Sequence, residues 1–263
     1  MIESEVKRQM NCFDAVRAFP GDVGLYYRVL GEDGAVTHNP DLPLIAASVI
    51  KIPIMVTAFR DIAAGRLDPV EVYAIRPEDK KPSCGALTYM HDGLEVTLMD
   101  LITLMIILSD NTATNLLIDR LTPAHVNRTM DALGIPGICL RRRLFEPVLS
   151  ARGIQNTVTA RGVGALLERM ATGTLLGEAD DRRMVDILLN QRLNGKLPFY
   201  LHSRGIRCAH KTGEDDGITH DAGIIYAGKP FVLCMLSNKV DVPAFERLMQ
   251  DTARACAFGK QEA

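Results

Sequence analysis

Apolar residues recur at helical spacing from Glu3 to Phe19 and stop at Pro20-Gly21, so a first helix is expected there. The next segment, Val23-Gly-Leu-Tyr-Tyr-Arg-Val-Leu30, reads as a strand that turns at Gly31-Glu-Asp-Gly34 into a second strand from Ala35 to His38. From Ser48 to about Asn194 the pattern is largely helical, broken at Pro77, Pro82, Gly93, Pro123, Pro136 and a loop around Glu146. Strands return at Arg207 to His210, Ala222 to Tyr226 and Phe231 to Leu236, before a last helix from Pro243 to about Ala257. Strands at both ends with helices between them predict an α/β (α+β) fold, in which a five-stranded antiparallel sheet from both termini is flanked by helices. Residues 1–47 plus 200–263 would form the sheet part and residues 48–199 an all-helical insertion. No internal repeat or low-complexity segment is visible.

Composition narrows the function classes. A chain of 263 residues, 47% apolar, with a formal net charge of −2, can bury a large core and is not of the disordered class. Acids and bases are mixed throughout, so no basic field suits nucleic acid; Arg141-Arg-Arg143 is the one dense basic run. The longest apolar stretch, Leu101 to Leu108 with Thr103 inside it, is far short of the roughly 20 residues of a membrane helix. The start Met1-Ile-Glu-Ser-Glu-Val-Lys7 lacks the charged and apolar regions of a secretory signal, which suggests a cytoplasmic protein, or a secreted or periplasmic one whose signal was removed. Cys12, Cys84, Cys139, Cys208, Cys234 and Cys256 stand singly, and the histidines show no HExxH pattern. No metal and no cofactor are therefore expected, and a monomer is.

Three short strings carry chemistry in a fixed order: Ser48-Val-Ile-Lys51, Ser109-Asp-Asn111 and Lys211-Thr-Gly213. The first is loose by itself, since Ser4-Glu-Val-Lys7 matches it too. What sets Ser48 apart is the apolar run Ile52-Pro-Ile-Met-Val56 that follows with helical character. Residues three apart share a helix face, so Lys51 would bring its amine to the Ser48 hydroxyl. A hydroxyl is a poor nucleophile until a neighbour takes its proton, and an ammonium with a pKa of about 10.4 cannot do so at neutral pH. Lys51 must be depressed or helped. Taken singly, the strings have bland readings: a helix cap, a polar helix end, and a strand entering a turn.

Together the strings resemble the signature of class A serine β-lactamases and their penicillin-binding relatives. Class C enzymes would place Tyr-x-Asn, and class D enzymes Ser-x-Val, where Ser109-Asp-Asn111 stands. The resemblance implies a β-lactamase/transpeptidase-like fold and a small-molecule β-lactam or acyl-D-Ala-type substrate. It implies that Ser48 is acylated, that Lys51 takes or relays its proton, and that Ser109 protonates the leaving nitrogen in the field of Lys211. Asn111 would bind the acyl amide, Thr212 would help hold the carboxylate, and Gly213 completes the third string. The backbone N–H groups of Ser48 and Glu214 would form the oxyanion hole. Glu146, 37 residues beyond Ser109, would activate the deacylating water from an Ω-type loop at about 141–159. The bland reading of Glu146 is a surface acid answering Arg141-Arg-Arg143.

Four departures from the family pattern are legible. Ser150 replaces the Asn that helps hold the water, and a hydroxyl offers fewer contacts than an amide. The Arg and Asp that clamp the family's loop are replaced by Leu144 and Asn156, leaving packing of Leu144 and Phe145 to hold it. The turn Glu214-Asp215-Asp216-Gly217 is acidic. The family's carboxylate-reading Arg is replaced around His220-Asp221-Ala222, leaving Lys211, Lys239 and a protonated His220 as cationic candidates. The expectation is a serine β-lactamase-like hydrolase. The alternatives are a D-alanyl-D-alanine carboxypeptidase or esterase/amidase on the same scaffold, and a slowly deacylating penicillin-binding sensor.

Overall fold

A computed structural model describes residues 12–82 and 84–259. The start of the expected first helix lies outside these; residues 12–17 are helical and form α1. The chain continues through β1 (Asp22–Val29), β2 (Val36–His38), β3 (Leu44–Ile45), α2 (Lys51–Ala63), β4 (Val72–Ala74), β5 (Glu95–Thr97), α3 (Leu98–Ile107), α4 (Asn111–Leu121) and α5 (Pro123–Ala132). It then forms α6 (Pro147–Ala151), β6 (Thr157–Val158), α7 (Ala160–Ala171), α8 (Glu178–Leu189), β7 (Cys208–Asp215), β8 (Ile218–Ile225), β9 (Phe231–Asn238) and α9 (Val242–Phe258).

Five strands make one antiparallel sheet in the order β2-β1-β9-β8-β7, joining both ends of the chain as the sequence predicts. Alternation along β9 explains its two faces. Phe231, Leu233 and Met235 enter one core with Phe13 of α1 and Phe245 and Met249 of α9. Val232, Cys234 and Leu236 enter the other, with α2, α3, α7 and α8. Covered on both faces, β9 is apolar along most of its length and not alternating. Helix α7 approaches β1 at Gly164, where a Cβ would run into the Tyr26 ring. The stretch 48–199, expected to be an all-helical insertion, also contains a small β4-β5 sheet and β6, which pairs with β3. Their strands of two and three residues are too short to set a period in the sequence.

Strand β7 is the open edge of the large sheet, and it packs against the 3-10 turn Ala47–Ile50 at the head of α2. This contact positions the candidate site.

Candidate active site

Ser48 lies in the turn Ala47–Ile50, which runs straight into α2 with Lys51 as its first residue. The nucleophile candidate and its amine are therefore carried by one rigid element. Lys51 Nζ is 3.0 Å from Ser48 Oγ, 2.8 Å from Ser109 Oγ, 2.8 Å from the Ser109 carbonyl and 2.9 Å from Asn111 Oδ1. Lys51 is fully buried, and this loss of solvent, with Lys211 adding a second positive charge, holds its pKa well below the usual 10.5. An unprotonated amine has the lone pair that an ammonium lacks, so it can accept the Ser48 proton.

Ser109 joins two lysines. Its hydroxyl oxygen is also 3.0 Å from Lys211 Nζ, and Lys211 donates to the Thr212 carbonyl at 2.9 Å. Burial pulls the Lys211 pKa down to about 7; Asp221 opposes this and Lys196 adds to it. Asp110 fixes the string between the lysines. One of its oxygens caps α4 at Ala113 N, and the other accepts from Ala86 N at 2.7 Å and Leu87 N at 2.9 Å. Asn111 accepts from Lys51 and donates to the Pro82 carbonyl at 3.1 Å, which uses one of its two N–H donors.

The third string closes the site from β7. A Cβ on Gly213 would lie 3.2 Å from the Ser48 amide nitrogen and 3.3 Å from the Ala47 Cβ, so glycine permits this approach. Ser48, Ser109, Asn111, Glu146, Ser150, Thr212, Gly213 and Glu214 all line one cavity of about 860 Å³. Lys51 and Lys211 do not line it but contact residues that do, Lys51 meeting Ser48 and Ser109, and Lys211 meeting Ser109 and Thr212. Three residues with left-handed backbone flank these groups or belong to them: Ala47 (φ 41°), Ser109 (φ 54°) and Phe145 (φ 58°). For a residue with a Cβ such a conformation costs on the order of 1–3 kcal/mol and persists only where the surroundings enforce it.

Glu146 is the N-cap residue of α6, half-buried, and in no ion pair among the described residues. The basic run does not answer it. Arg141 bonds the Gln155 carbonyl and Thr157, Arg142 bonds the Ile154 carbonyl and Gln155, and Arg143 pairs with Asp119. The loop is held by amide side chains together with packing of Leu144, and not by Phe145. Asn156 Oδ1 accepts from Arg141 N at 2.7 Å and Arg142 N at 3.0 Å, while its Nδ2 donates to the Arg142 carbonyl. Asn115 brackets Leu144 in the same way, at 2.8 and 3.0 Å. Leu144 does pack on the core, but Phe145 is exposed.

The cationic candidates outside the third string are corrected. His220 is fully buried; its Nε2 donates to the Ile45 carbonyl at 2.8 Å and its Nδ1 accepts from Ser237 N at 3.0 Å. That arrangement fixes the neutral tautomer, and burial lowers the pKa to about 4. Lys239 is exposed, pairs with Asp22 and does not line the cavity. One cation that sequence reasoning missed is Lys196, buried behind β7, within 3.0 Å of Glu214 Oε1 and 3.2 Å of the Gly213 carbonyl; Lys80 and Lys81, also not singled out, line the cavity itself. Also missed is buried His210, set between Asp221 Oδ1 at 2.9 Å and Asn194 Oδ1 at 3.0 Å. Lys196 lies in the connection before β7 and His210 in a strand that is polar from His210 onward, so neither stood out in the sequence.

A model of the β-lactamase enzyme family matches residues 5–257. Among solved structures, a β-lactamase from Sphaerobacter thermophilus is 31% identical, with 95% of each chain covered and a TM-score of 0.84. PBP-A is 28% identical, covering 95% of this chain and 94% of its own, also at 0.84. Among curated proteins, the β-lactamase regulatory protein BlaB of Streptomyces cacaoi is 23% identical over 266 residues, 82% of this chain and 85% of that one. A match across nearly the whole chain, over a fold shared with class A β-lactamases, places this protein in the β-lactamase enzyme family, as a β-lactamase-like hydrolase.

Proposed function

We propose that the protein opens β-lactam rings through an acyl-enzyme on Ser48 and releases it with water activated by Glu146. The observation that carries this reading is the 3.0 Å approach of Lys51 Nζ to Ser48 Oγ, with the amine buried and its pKa lowered. Ser48 Oγ attacks the ring carbonyl while its proton passes to Lys51. The oxyanion is held by the N–H groups of Ser48 and Glu214, each worth about 3 kcal/mol of transition-state stabilisation. The C–N bond then breaks, Ser109 gives its proton to the ring nitrogen, and Lys51 restores the Ser109 proton. Lys211 supports this transfer, and with Thr212 binds the substrate carboxylate; Asn111 binds the acyl amide.

Deacylation reverses the roles. Water attacks the ester carbon as Glu146 takes its proton, the bond to Ser48 Oγ breaks, and Glu146 returns that proton to Ser48. Ser150 would help hold the water. The capture of a mutant of PBP-A as an acyl-enzyme complex with penicillin G supports the covalent step by analogy. Ser48→Ala is expected to lower hydrolysis of a chromogenic cephalosporin by at least about a thousandfold. Unchanged hydrolysis would refute the reading.

A second reading, a D-alanyl-D-alanine carboxypeptidase or related amidase, is favoured by β8. There buried, neutral His220 and paired Asp221 stand in place of a guanidinium facing the substrate carboxylate. Depsipeptide turnover exceeding cephalosporin turnover would select it.

A further inference from the structure

Ser150 sits on α6 one turn after Glu146 and donates its backbone N–H to the Glu146 carbonyl at 3.0 Å. A helical serine commonly turns its hydroxyl back to the carbonyl four residues earlier. Among the described residues this one does not; its Oγ instead meets Gln155 Nε2 at 2.8 Å, with the Ser150 carbonyl 3.3 Å from the same nitrogen. The far end of Gln155 fixes which atom is which. Arg142 Nη2 lies 2.6 Å from Gln155 Oε1, and a guanidinium only donates, so the oxygen must face Arg142 and the NH₂ must face Ser150. Arg142 is itself anchored by donating to the Ile154 and Arg143 carbonyls at 2.8 and 3.0 Å.

We propose that Gln155 is a positioning residue for deacylation, aiming the Ser150 O–H at the hydrolytic water beside Glu146. The inference rests on the acyl-enzyme reading above. By filling one lone pair of Ser150 Oγ, Gln155 keeps the hydroxyl off the Glu146 carbonyl and leaves its one proton to be donated. Glu146, Ser150, Gln155 and Ser48 line the same cavity, which is where the water shared by the hydroxyl and the carboxylate is proposed to sit. The chain from Arg142 through Gln155 to Ser150 runs in one donor direction, and each bond polarises the next, making the final O–H a stronger donor. A single serine hydroxyl is thereby restricted to one orientation, compensating for its lack of a second polar atom.

Gln155→Glu separates this role from simple support of the loop. A carboxylate still takes the Arg142 N–H groups, but it can only accept, so the Ser150 proton turns toward it and away from the water. With benzylpenicillin followed by intact-protein mass spectrometry, the Ser48 adduct is expected to form within about twofold of the wild-type rate and to last at least about tenfold longer. The melting temperature is expected to stay level or rise. Adding Ser150→Asn to Gln155→Glu lets an amide donate to the carboxylate while its own oxygen faces the water, and should shorten the adduct lifetime again. An unchanged lifetime in Gln155→Glu, or a longer one accompanied by slower acylation and a lower melting temperature, would overturn the proposal. No adduct on wild-type protein would instead bring down the acyl-enzyme reading, and this inference with it.

Discussion

The two halves of the candidate site are built on different physical principles. Around Ser48, the polar groups Lys51, Ser109, Asn111 and Lys211 are buried, converge on one another within about 3 Å, and sit between α2, α4 and β7. Around Glu146, the loop between Leu140 and Val158 lies near solvent and is tied down by asparagine and glutamine side chains bonding backbone. In the first half the proposed chemistry rests on desolvation, because burial lowers the Lys51 pKa and so favours the unprotonated amine that a base requires. In the second half it comes from placement, because Glu146 is half-buried and, among the described residues, in no ion pair. Acylation should thus be sensitive to charge and pH, and deacylation to loop geometry.

The largest effect that sharpens this contrast is a pH effect. With the Lys211 pKa at about 7, its positive charge is present below that value and lost as pH rises through it, so substrates with a carboxylate should bind and acylate less well in alkali. As pH falls through the lowered Lys51 pKa, the amine takes up a proton and can no longer accept one from Ser48. The kcat/KM profile for benzylpenicillin should therefore be bell-shaped, falling about tenfold per unit on the alkaline side. Because both lysines contact Ser109 Oγ, the two limbs belong to the pair. In Lys211→Arg, whose charge persists, the alkaline limb should move up by at least about one unit. An unmoved limb would remove Lys211 from the account.

A smaller effect is expected in the loop. Asn156→Ala deletes three bonds to the backbone of Arg141 and Arg142, and should slow deacylation about tenfold with acylation unaffected. Faster amide exchange confined to the loop would accompany it. Equal slowing of both steps would erase the distinction between the halves.

The two halves also differ in how much of them the sequence discloses. The strings at Ser48, Ser109 and Lys211 are short and local, so residue type and spacing carry them, and the apolar run after Ser48 already puts Lys51 on its helix face. The sheet is legible where its strands are apolar, in β1, β9 and the second half of β8, whereas the polar stretches Lys211–Asp215 of β7 and Thr219–Asp221 of β8 hid the full length of those strands. What escaped are groups whose role depends on distant partners. Lys196 is one of nine lysines until β7 folds over it, and Gln155 acquires meaning only when Arg142 and Ser150 come within reach. Asn156 is visible as a departure from the family's clamp, but that its amide serves as another clamp depends on three-dimensional contacts. His220 shows the converse error: a histidine near a binding string suggests charge, whereas complete burial between two backbone groups keeps it neutral.

The most direct test of the central claim is to mix wild-type protein and Glu146→Gln separately with benzylpenicillin and follow the mass of the protein over time. The account predicts that both acquire one adduct on Ser48, that the wild type clears it, and that Glu146→Gln retains it for at least about a hundredfold longer. Equal clearance by the two proteins, or the absence of any adduct on either, would contradict it.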